Sequence, residues 1–362
     1  MTTATVGGIW NYTIDLCKAL QFYDTEIHLM AMGSLVNSEQ QQQLEQLKGI
    51  NFYESNYKVE WMENPWEDIS MAKQWISSVY SKVNPDIIHF NTFGHVAGDW
   101  DCPVVSVFHF CLQTRWSAIT GKTSTPDDLK RYRKAVKEAL TSACVIVAPT
   151  AAILKDAEKI YPVLKHKHKE VIYNGRDTPE FSITEKEPGI LTAGRKINDA
   201  KNICLLTDVA DDLNWPVYIA GTHNCPEEDE DNEAKNINYL GRLPSKVLQD
   251  YMKKASLFVM PAKYEPFGLA VLEAAKAGCA LALGDIPTFR EIWGDAAVYF
   301  NPESADEAAA VLQKLTTDHA FREEKARKAL ERSKKFTVEK MAGSYINLYI
   351  DLIESRKIAI NA

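Results

Sequence analysis

The sequence predicts an α/β protein built from two Rossmann-like domains, each with a doubly wound parallel sheet. Its 362 residues exceed what a single hydrophobic core usually holds. Short apolar runs alternate with helical stretches through most of the chain, which is typical of parallel strands joined by helices. A segment rich in turn formers, residues 174–189, splits this alternation into two series. We therefore expect domains at 1–173 and 174–339, followed by a C-terminal helix at 340–362.

The first series begins with a short Thr-rich strand at residues 1–5, and the pair Gly7-Gly8 then opens a helix. Buried apolar runs predict the next strands, at 26–32, 86–90, 103–108, 144–148 and 170–173. Periodicity near 3.6 predicts the helices, at 9–22, 68–83, 127–141 and 150–160. Thr150 is the expected N-cap of the last of these helices.

The second series repeats the same alternation. Its predicted strands are 190–193, 217–220, 237–240, 257–260, 280–283 and 298–300. Its predicted helices are 203–212, 244–254, one that opens at 268, and three stretches from 305 to the end. In doubly wound sheets ligands bind outside the carboxyl ends of the strands, so polar residues in those loops are the candidate site.

Composition bounds the function. A formal net charge of −8 argues against nucleic acid as a partner, since bulk electrostatics would repel it. Seven cysteines, an odd number without a C-x-x-C pair, indicate reduced thiols and a cytoplasmic protein. No apolar run reaches the roughly 18 residues of a spanning helix, so any membrane contact is expected to be peripheral. No residue spacing typical of a metal site is present, and we expect neither a metal nor another cofactor.

The most informative segment is Y-E-P-F-G-L-A-V-L-E, residues 264–273. Pro266 cannot lie inside a helix, so Glu265 belongs to the loop that leaves a strand, and Gly268 and Leu269 belong to the first turn of the next helix. The backbone N–H groups of such a turn lack partners within the helix and attract anions, phosphate above all. Glu265 and Glu273 therefore flank a predicted phosphate site.

At these residues the chain resembles the retaining nucleotide-sugar glycosyltransferases of family 4, whose signature reads E-P-F-G-L-x-x-x-E. The resemblance implies the GT-B architecture, in which two Rossmann-like domains face each other across a cleft. It also implies that the donor is a nucleotide diphosphate sugar, UDP- or GDP-linked. Glu265 would hold the donor sugar, Glu273 the ribose hydroxyls, and Phe267, Gly268 and Leu269 would complete the donor loop.

Cations are expected beside this loop. The segment G-R-K-I-N-D-A-K-N follows a predicted strand and resembles the family's G-R-x-x-x-x-K-N, which implies that Arg195 and Lys201 neutralise the leaving diphosphate. The loop L-G-R-L, which includes Leu243, is where the base would lie. In the first domain, Gly7 and Gly8 precede a helix and would let the donor approach the backbone closely.

Several residues after the strands of the first domain are candidates for sugar or acceptor contacts. His109 ends an apolar strand, where a neutral imidazole can bond a hydroxyl or polarise a leaving group. Asn91 ends another strand in the same way. Aromatic and cationic side chains that suit a sugar acceptor are Trp10, Arg115 and Trp116.

The sequence therefore predicts a retaining hexosyltransferase that moves a sugar from a nucleotide diphosphate to an acceptor hydroxyl. The acceptor would be a sugar, a lipid-linked glycan or a small metabolite. The predicted catalytic residues are Glu265, His109, Arg195 and Lys201. Two alternatives remain open: a nucleotide-sugar epimerase or hydrolase on the same fold, and a non-catalytic protein that binds sugar nucleotides.

Overall fold

The computed structural model describes residues 1–124, 126–176, 185–194, 199–221 and 235–361. The chain divides into two compact units. Unit 1 comprises residues 1–117, 122–175 and 338–362, and unit 2 comprises residues 118–121 and 176–337. The divisions after residues 175 and 337 each fall two residues from a boundary expected from the sequence.

The helices and strands follow the alternation expected from the sequence. Up to residue 175 they are β1 Thr2–Ala4, α1 Gly8–Leu20, β2 Ile27–Met32, α2 Ser38–Glu45, β3 Ile50–Glu54, α3 Trp66–Val83, β4 Ile88–Phe90, β5 Val104–Val107, α4 Leu112–Thr120, α5 Lys130–Ser142, β6 Val145–Ala148, α6 Ala151–Ile160 and β7 His168–Val171. From residue 176 they are β8 Glu187–Ala193, α7 Leu205–Val209, β9 Val217–Ala220, β10 Ile237–Gly241, α8 Ser245–Lys254, β11 Ala255–Met260, α9 Leu269–Lys276, β12 Ala280–Gly284, α10 Pro287–Trp293, β13 Val298–Phe300, α11 Ala305–Thr317, α12 His319–Ser333 and α13 Val338–Asn361.

Unit 1 holds two parallel ladders, β1-β2-β3 and β4-β5-β6-β7. Asn91 joins them, because its backbone N–H donates to Thr2 Oγ1 and its side-chain amide donates to the Thr2 carbonyl. The spatial order of the parallel strands is therefore 3-2-1-4-5-6-7. The chain adds strands to one side of β1 first and then, from β4 on, to the other side. Ligands of doubly wound sheets bind at such a reversal. α13 packs on α1 in the core of this unit.

Unit 2 has one parallel sheet in the order β10-β9-β8-β11-β12-β13. Its strands bury side chains on both faces: Phe258 and Met260 enter one core, and Leu257 and Val259 enter the other. Helices α9, α10 and α12 cover the first face, and α7 and α11 cover the second. The strand order reverses between β8 and β11, so the loops after these strands form the expected ligand edge.

Four elements were not expected from the sequence: α2, β3, α4 and α10. α2 (S-E-Q-Q-Q-Q-L-E) carries almost no apolar residue, so it has no hydrophobic period to detect. A capping box supports it, in which Asn37 Oδ1 accepts from the Gln40 N–H and Gln40 Oε1 accepts from the Asn37 N–H. β7 also begins at His168, two residues before the strand expected at 170–173.

Among the described residues, five cysteines are free thiols, as the composition suggested, and four of these are buried; Cys204 takes part in a disulfide, so the expectation of reduced thiols is wrong for that residue. Within the described ranges, no helix is long and apolar enough to cross a membrane.

Candidate active site at the carboxyl ends of the strands

The strand reversal of unit 2 brings Lys201 and Glu265 together. Lys201 follows β8 and Glu265 follows β11, and Lys201 Nζ donates to Glu265 Oε2. The two loops are also joined through their backbones, because the Ala200 carbonyl accepts from Lys263 N at 2.9 Å and Tyr264 N at 3.2 Å. The first turn of α10 contributes Thr288, whose Oγ1 donates to the Glu265 carbonyl at 2.6 Å. Glu265 is thus fixed from three sides at the predicted ligand edge.

The N-terminus of α9 lies directly after Glu265. Gly268 caps this helix with φ +89°, and an added Cβ would lie 3.0 Å from the Phe289 ring, so both conformation and space require glycine. Leu269 is the first helical residue, and the cap supplies no side-chain hydrogen bond to the first turn. The N–H groups of that turn can therefore bind an anion.

Glu273, the second glutamate of the motif, is buried and held by a residue that the sequence analysis missed. Arg176 Nε donates to Glu273 Oε1 at 2.5 Å, and the two side chains are only 8% and 11% exposed. Lys276 Nζ in turn donates to the Arg176 carbonyl. Arg176 lies in the turn-rich segment N-G-R-D-T-P, where an arginine among turn formers was the only signal.

The other donor residues expected in unit 2 are Arg195, Phe267 and Leu243. Arg195 lies outside the described residues. The Phe267 side chain is buried in the core, edge-on to the Phe336 ring at 5.7 Å, so it cannot contact a donor, and only its backbone can. Leu243 follows β10 and packs half-buried against the same core.

In unit 1 the Gly-Gly pair forms an open helix N-terminus at the strand reversal. Gly7 caps α1 with φ +87°, and nothing lies within 4 Å of an added Cβ. Gly8 is the first residue of α1, and its N-cap residue, Gly7, supplies no side-chain hydrogen bond to this turn. The positive φ explains the glycine at position 7, and the open space in front of it permits the close approach of a ligand.

His109 and Asn91 are joined by a hydrogen bond. His109 follows β5 and is half-buried, and its Nε2 lies 2.7 Å from Asn91 Oδ1. The edge of the Tyr12 ring packs against the imidazole, with centroids 4.4 Å apart. Burial lowers the pKa of His109 to about 3, so the imidazole is neutral at neutral pH. A neutral imidazole can bond a hydroxyl but cannot supply a positive charge.

Two of the predicted acceptor contacts are not supported. The Trp10 side chain is 3% exposed, and its indole N–H donates to Gln43 Oε1 at 2.6 Å, so its ring cannot stack on a sugar. Asn91 is 2% exposed, and its amide is occupied by Thr2 and by imidazole nitrogens. Arg115 and Trp116 lie half-buried in α4.

Two family models match the chain, one on each half. The model described as Glycosyltransferase Family 4 matches residues 6–180, and that described as Glycosyl transferases group 1 matches residues 175–336. Among curated proteins, the chain is 32% identical over 139 residues to the O-antigen chain mannosyltransferase B of Escherichia coli. That match covers 38% of this chain and 34% of the relative, and the next relatives are covered to 12% of their length.

Solved structures extend the likeness to the whole chain. Sucrose-phosphate synthase from Thermosynechococcus elongatus gives a TM-score of 0.80 at 17% identity and covers 98% of this chain and 95% of that one. Anabaena HepE in complex with UDP and glucose gives 0.68 at 15% identity, covering 97% and 100%. At such identities the likeness shows the fold alone, and it confirms the predicted class of two Rossmann-like domains. With the two models spanning residues 6–336, the chain belongs to the group 1 glycosyl transferases of family 4.

Proposed function

We propose that this protein is a retaining glycosyltransferase that moves a hexose from a UDP- or GDP-linked donor to a glycan hydroxyl. The observation that carries the proposal is the Lys201–Glu265 pair beside the open N-terminus of α9. It places a cation, a carboxylate and free backbone amides at one strand reversal. A sugar diphosphate needs all three: positive charge and N–H donors for the phosphates, and an acceptor for sugar hydroxyls.

The reaction breaks the bond between the anomeric carbon and the β-phosphate oxygen. The new bond forms on the same face of the sugar, and the departing phosphate takes the proton of the acceptor hydroxyl. Lys201 and the first amides of α9 stabilise the negative charge that grows on the diphosphate. For Lys201 to do so, its ammonium exchanges the Glu265 carboxylate for a phosphate oxygen, which frees Glu265 to bond the donor sugar. The family motif assigns Arg195 to the same diphosphate.

The proposal needs no divalent cation, since a lysine, an arginine and a helix N-terminus together match the charge of the leaving group. His109 serves a hydroxyl, because its neutral ring has a hydrogen-bonding nitrogen but no charge. The name of the curated mannosyltransferase relative supports a glycan acceptor and makes mannose the first donor sugar to try. We also infer a cytoplasmic location, with membrane contact at most peripheral; the five free thiols of the described residues support it, whereas the Cys204 disulfide does not.

A panel of UDP- and GDP-linked hexoses, mannose and glucose included, tests the proposal against its two alternatives. Each donor is incubated with and without oligosaccharide acceptors, and products are identified by mass spectrometry and NMR. We expect one donor to give a glycosylated acceptor, to release free sugar slowly without acceptor, and to remain active in excess EDTA. Epimer formation would favour the epimerase, and donor binding without turnover would favour the binding protein. Activity lost in EDTA and restored by Mg²⁺ or Mn²⁺ would refute the metal-free mechanism.

A further inference from the structure

The side-chain amide of Asn91 can adopt only one orientation. Its Nδ2 lies 2.8 Å from the Thr2 carbonyl oxygen, which can accept a hydrogen bond but cannot donate one. The NH₂ group must therefore face Thr2. Oδ1 then points to the opposite side, where two imidazole nitrogens lie within hydrogen-bond distance.

This orientation fixes the tautomers of two histidines. Oδ1 can only accept, so His109 Nε2 at 2.7 Å and His89 Nε2 at 3.0 Å must each carry a hydrogen. His89 Nδ1 is left as an acceptor and lies 2.5 Å from the hydroxyl of Tyr349, which α13 contributes. Both nitrogens of His89 are therefore satisfied: Nε2 donates to Asn91 Oδ1, and Nδ1 accepts from the Tyr349 hydroxyl.

His109 differs from His89 at its second nitrogen. Burial lowers the pKa of both rings to about 3, so each ring holds one proton, and in His109 it is on Nε2. Nδ1 of His109 is consequently a bare lone pair. Nδ1 makes no hydrogen bond to any residue in the described part of the chain, and it is not completely buried there.

We propose that Asn91 is a positioning residue that holds His109 in the Nε2–H tautomer, so that Nδ1 accepts a hydrogen bond from a substrate hydroxyl. The inference rests on the proposed glycosyl transfer and decides between two roles for His109. A bare Nδ1 can accept from a sugar O–H, whereas it cannot donate to a phosphate oxygen. His109 is thus assigned to orienting a sugar and not to the leaving group.

Two substitutions of Asn91 separate the acceptor from the structural bonds. Asn91→Ala and Asn91→Asp both lose the Nδ2 bond to Thr2, but only Asn91→Asp keeps an oxygen that accepts from His109 Nε2–H. The readouts are ¹⁵N NMR of the histidine rings in alkaline buffer, where they stay neutral, and steady-state kinetics. His109→Gln assigns the His109 signals. Asn236→Ala is the matched control, since among the described residues the Asn236 amide bonds the backbone carbonyls of Ala210, Leu213 and Trp215 and no histidine.

In the wild-type protein we expect His109 in the Nε2–H form, and we expect Asn236→Ala to leave this unchanged. Asn91→Ala should mix the tautomers and lower kcat by about tenfold to a hundredfold, as losses of orienting hydrogen bonds do, and Asn91→Asp should restore both. A wild-type Nδ1–H form, an unmixed tautomer in Asn91→Ala, or mixed tautomers with unchanged kcat would each overturn the proposal. Because the spectra need no substrate, they test the tautomer even if the glycosyl-transfer assay fails.

Discussion

At the residue scale, each glutamate of the E-P-F-G-L-x-x-x-E motif is paired with a different cation, and the pairs differ in burial. Lys201 and Glu265 retain 25% and 12% of their side-chain exposure, whereas Arg176 and Glu273 retain 8% and 11%. The first pair can open when a charged ligand arrives. In the second pair Arg176 is less exposed than Lys201 is in the first, which suits a pair that holds the Glu273 carboxylate in one orientation.

Glu265→Gln and Glu273→Gln should therefore fail differently. Glu265 stands before α9, where the reacting sugar is proposed to lie, so its loss should fall mainly on kcat. Glu273 lies one turn into α9 and is proposed to hold the ribose, so its loss should fall mainly on the donor KM. Steady-state kinetics with a saturable donor decide between the roles. If Glu273→Gln abolishes kcat while Glu265→Gln only raises KM, the proposed donor orientation is reversed.

Arg176→Ala should destabilise unit 2, because it leaves the Glu273 carboxylate buried without its cation. Removing one partner of a buried ion pair costs about 3–5 kcal/mol of unfolding free energy. Lys130→Ala is the control: its pair with Asp127 is 69% and 91% exposed, and exposed pairs contribute about 1 kcal/mol or less. Urea denaturation measures both. Equal losses in the two variants would mean that the Arg176–Glu273 pair is not enclosed in solution.

Lys201→Ala should lower kcat by about two orders of magnitude, the effect of removing one preorganised charge donor from a transition state. Lys254→Ala provides a comparison, since that lysine pairs with Glu187 on the surface and both side chains are 64% exposed. Initial rates at saturating donor measure the effect. Near-wild-type turnover in Lys201→Ala would remove Lys201 from the diphosphate.

Sequence could identify Lys201, Glu265 and Glu273, because their spacing reflects a local strand–loop–helix geometry. It could not identify Arg176 as the partner of Glu273, since the two are 97 positions apart and only tertiary packing joins them. For Asn91 the sequence suggested a ligand contact that the structure does not support. Its place at a strand end suggested ligand contact, but the strand reversal turns its amide toward Thr2 and the histidines.

At the element scale, the N-terminus of α9 depends on one glycine. Gly268→Ala would force a positive φ on an L-residue and bring Cβ within 3.0 Å of Phe289. We expect a loss of about 1–3 kcal/mol of stability together with weaker donor binding, because the anion-binding turn must shift. Gly49→Ala, with φ +68° and nothing within 4 Å, isolates the backbone strain.

Thermal denaturation and nucleoside diphosphate titration compare these two glycine variants. We expect both variants to lose stability and only Gly268→Ala to lose affinity for the nucleoside diphosphate. Unchanged nucleotide affinity in Gly268→Ala would show that the α9 turn does not contact the phosphates.

Long buried apolar runs made the inner strands predictable, whereas α2 and β3 lack such a run, and α10 has buried apolar residues but is only seven residues long. The inner strands β5, β6, β9, β11 and β12 read as apolar runs because helices cover both faces of their sheets. β3 is an edge strand whose residues are half-buried or exposed without regular alternation, so its pattern is weak. α2 could have been found only from its capping box, Asn37 and Gln40.

At the scale of the whole molecule, buried neutral histidines should make stability depend on pH. Burial lowers the pKa of His89, His95 and His109 from 6.5 to about 3. The unfolded chain therefore binds protons below pH 6.5 that the folded chain does not, so stability falls as the pH drops from 6.5 toward 3. Glu60, whose pKa is raised by burial, acts in the opposite direction.

His95→Gln isolates one of these contributions away from the proposed site. The variant should flatten the decline of the unfolding free energy below pH 6.5 by up to about 1.4 kcal/mol per pH unit, the value for one proton. Urea denaturation at a series of pH values measures the slope. A slope identical to that of the wild type would mean that His95 titrates normally in the folded protein.

The central claim is that a nucleoside diphosphate binds at the strand reversal of unit 2, and a crystal structure with UDP or GDP tests it most directly. We expect phosphate oxygens within hydrogen-bond distance of Lys201 Nζ and the first N–H groups of α9, with Lys201 released from Glu265. Nucleotide bound elsewhere, with the Lys201–Glu265 pair intact, would contradict it.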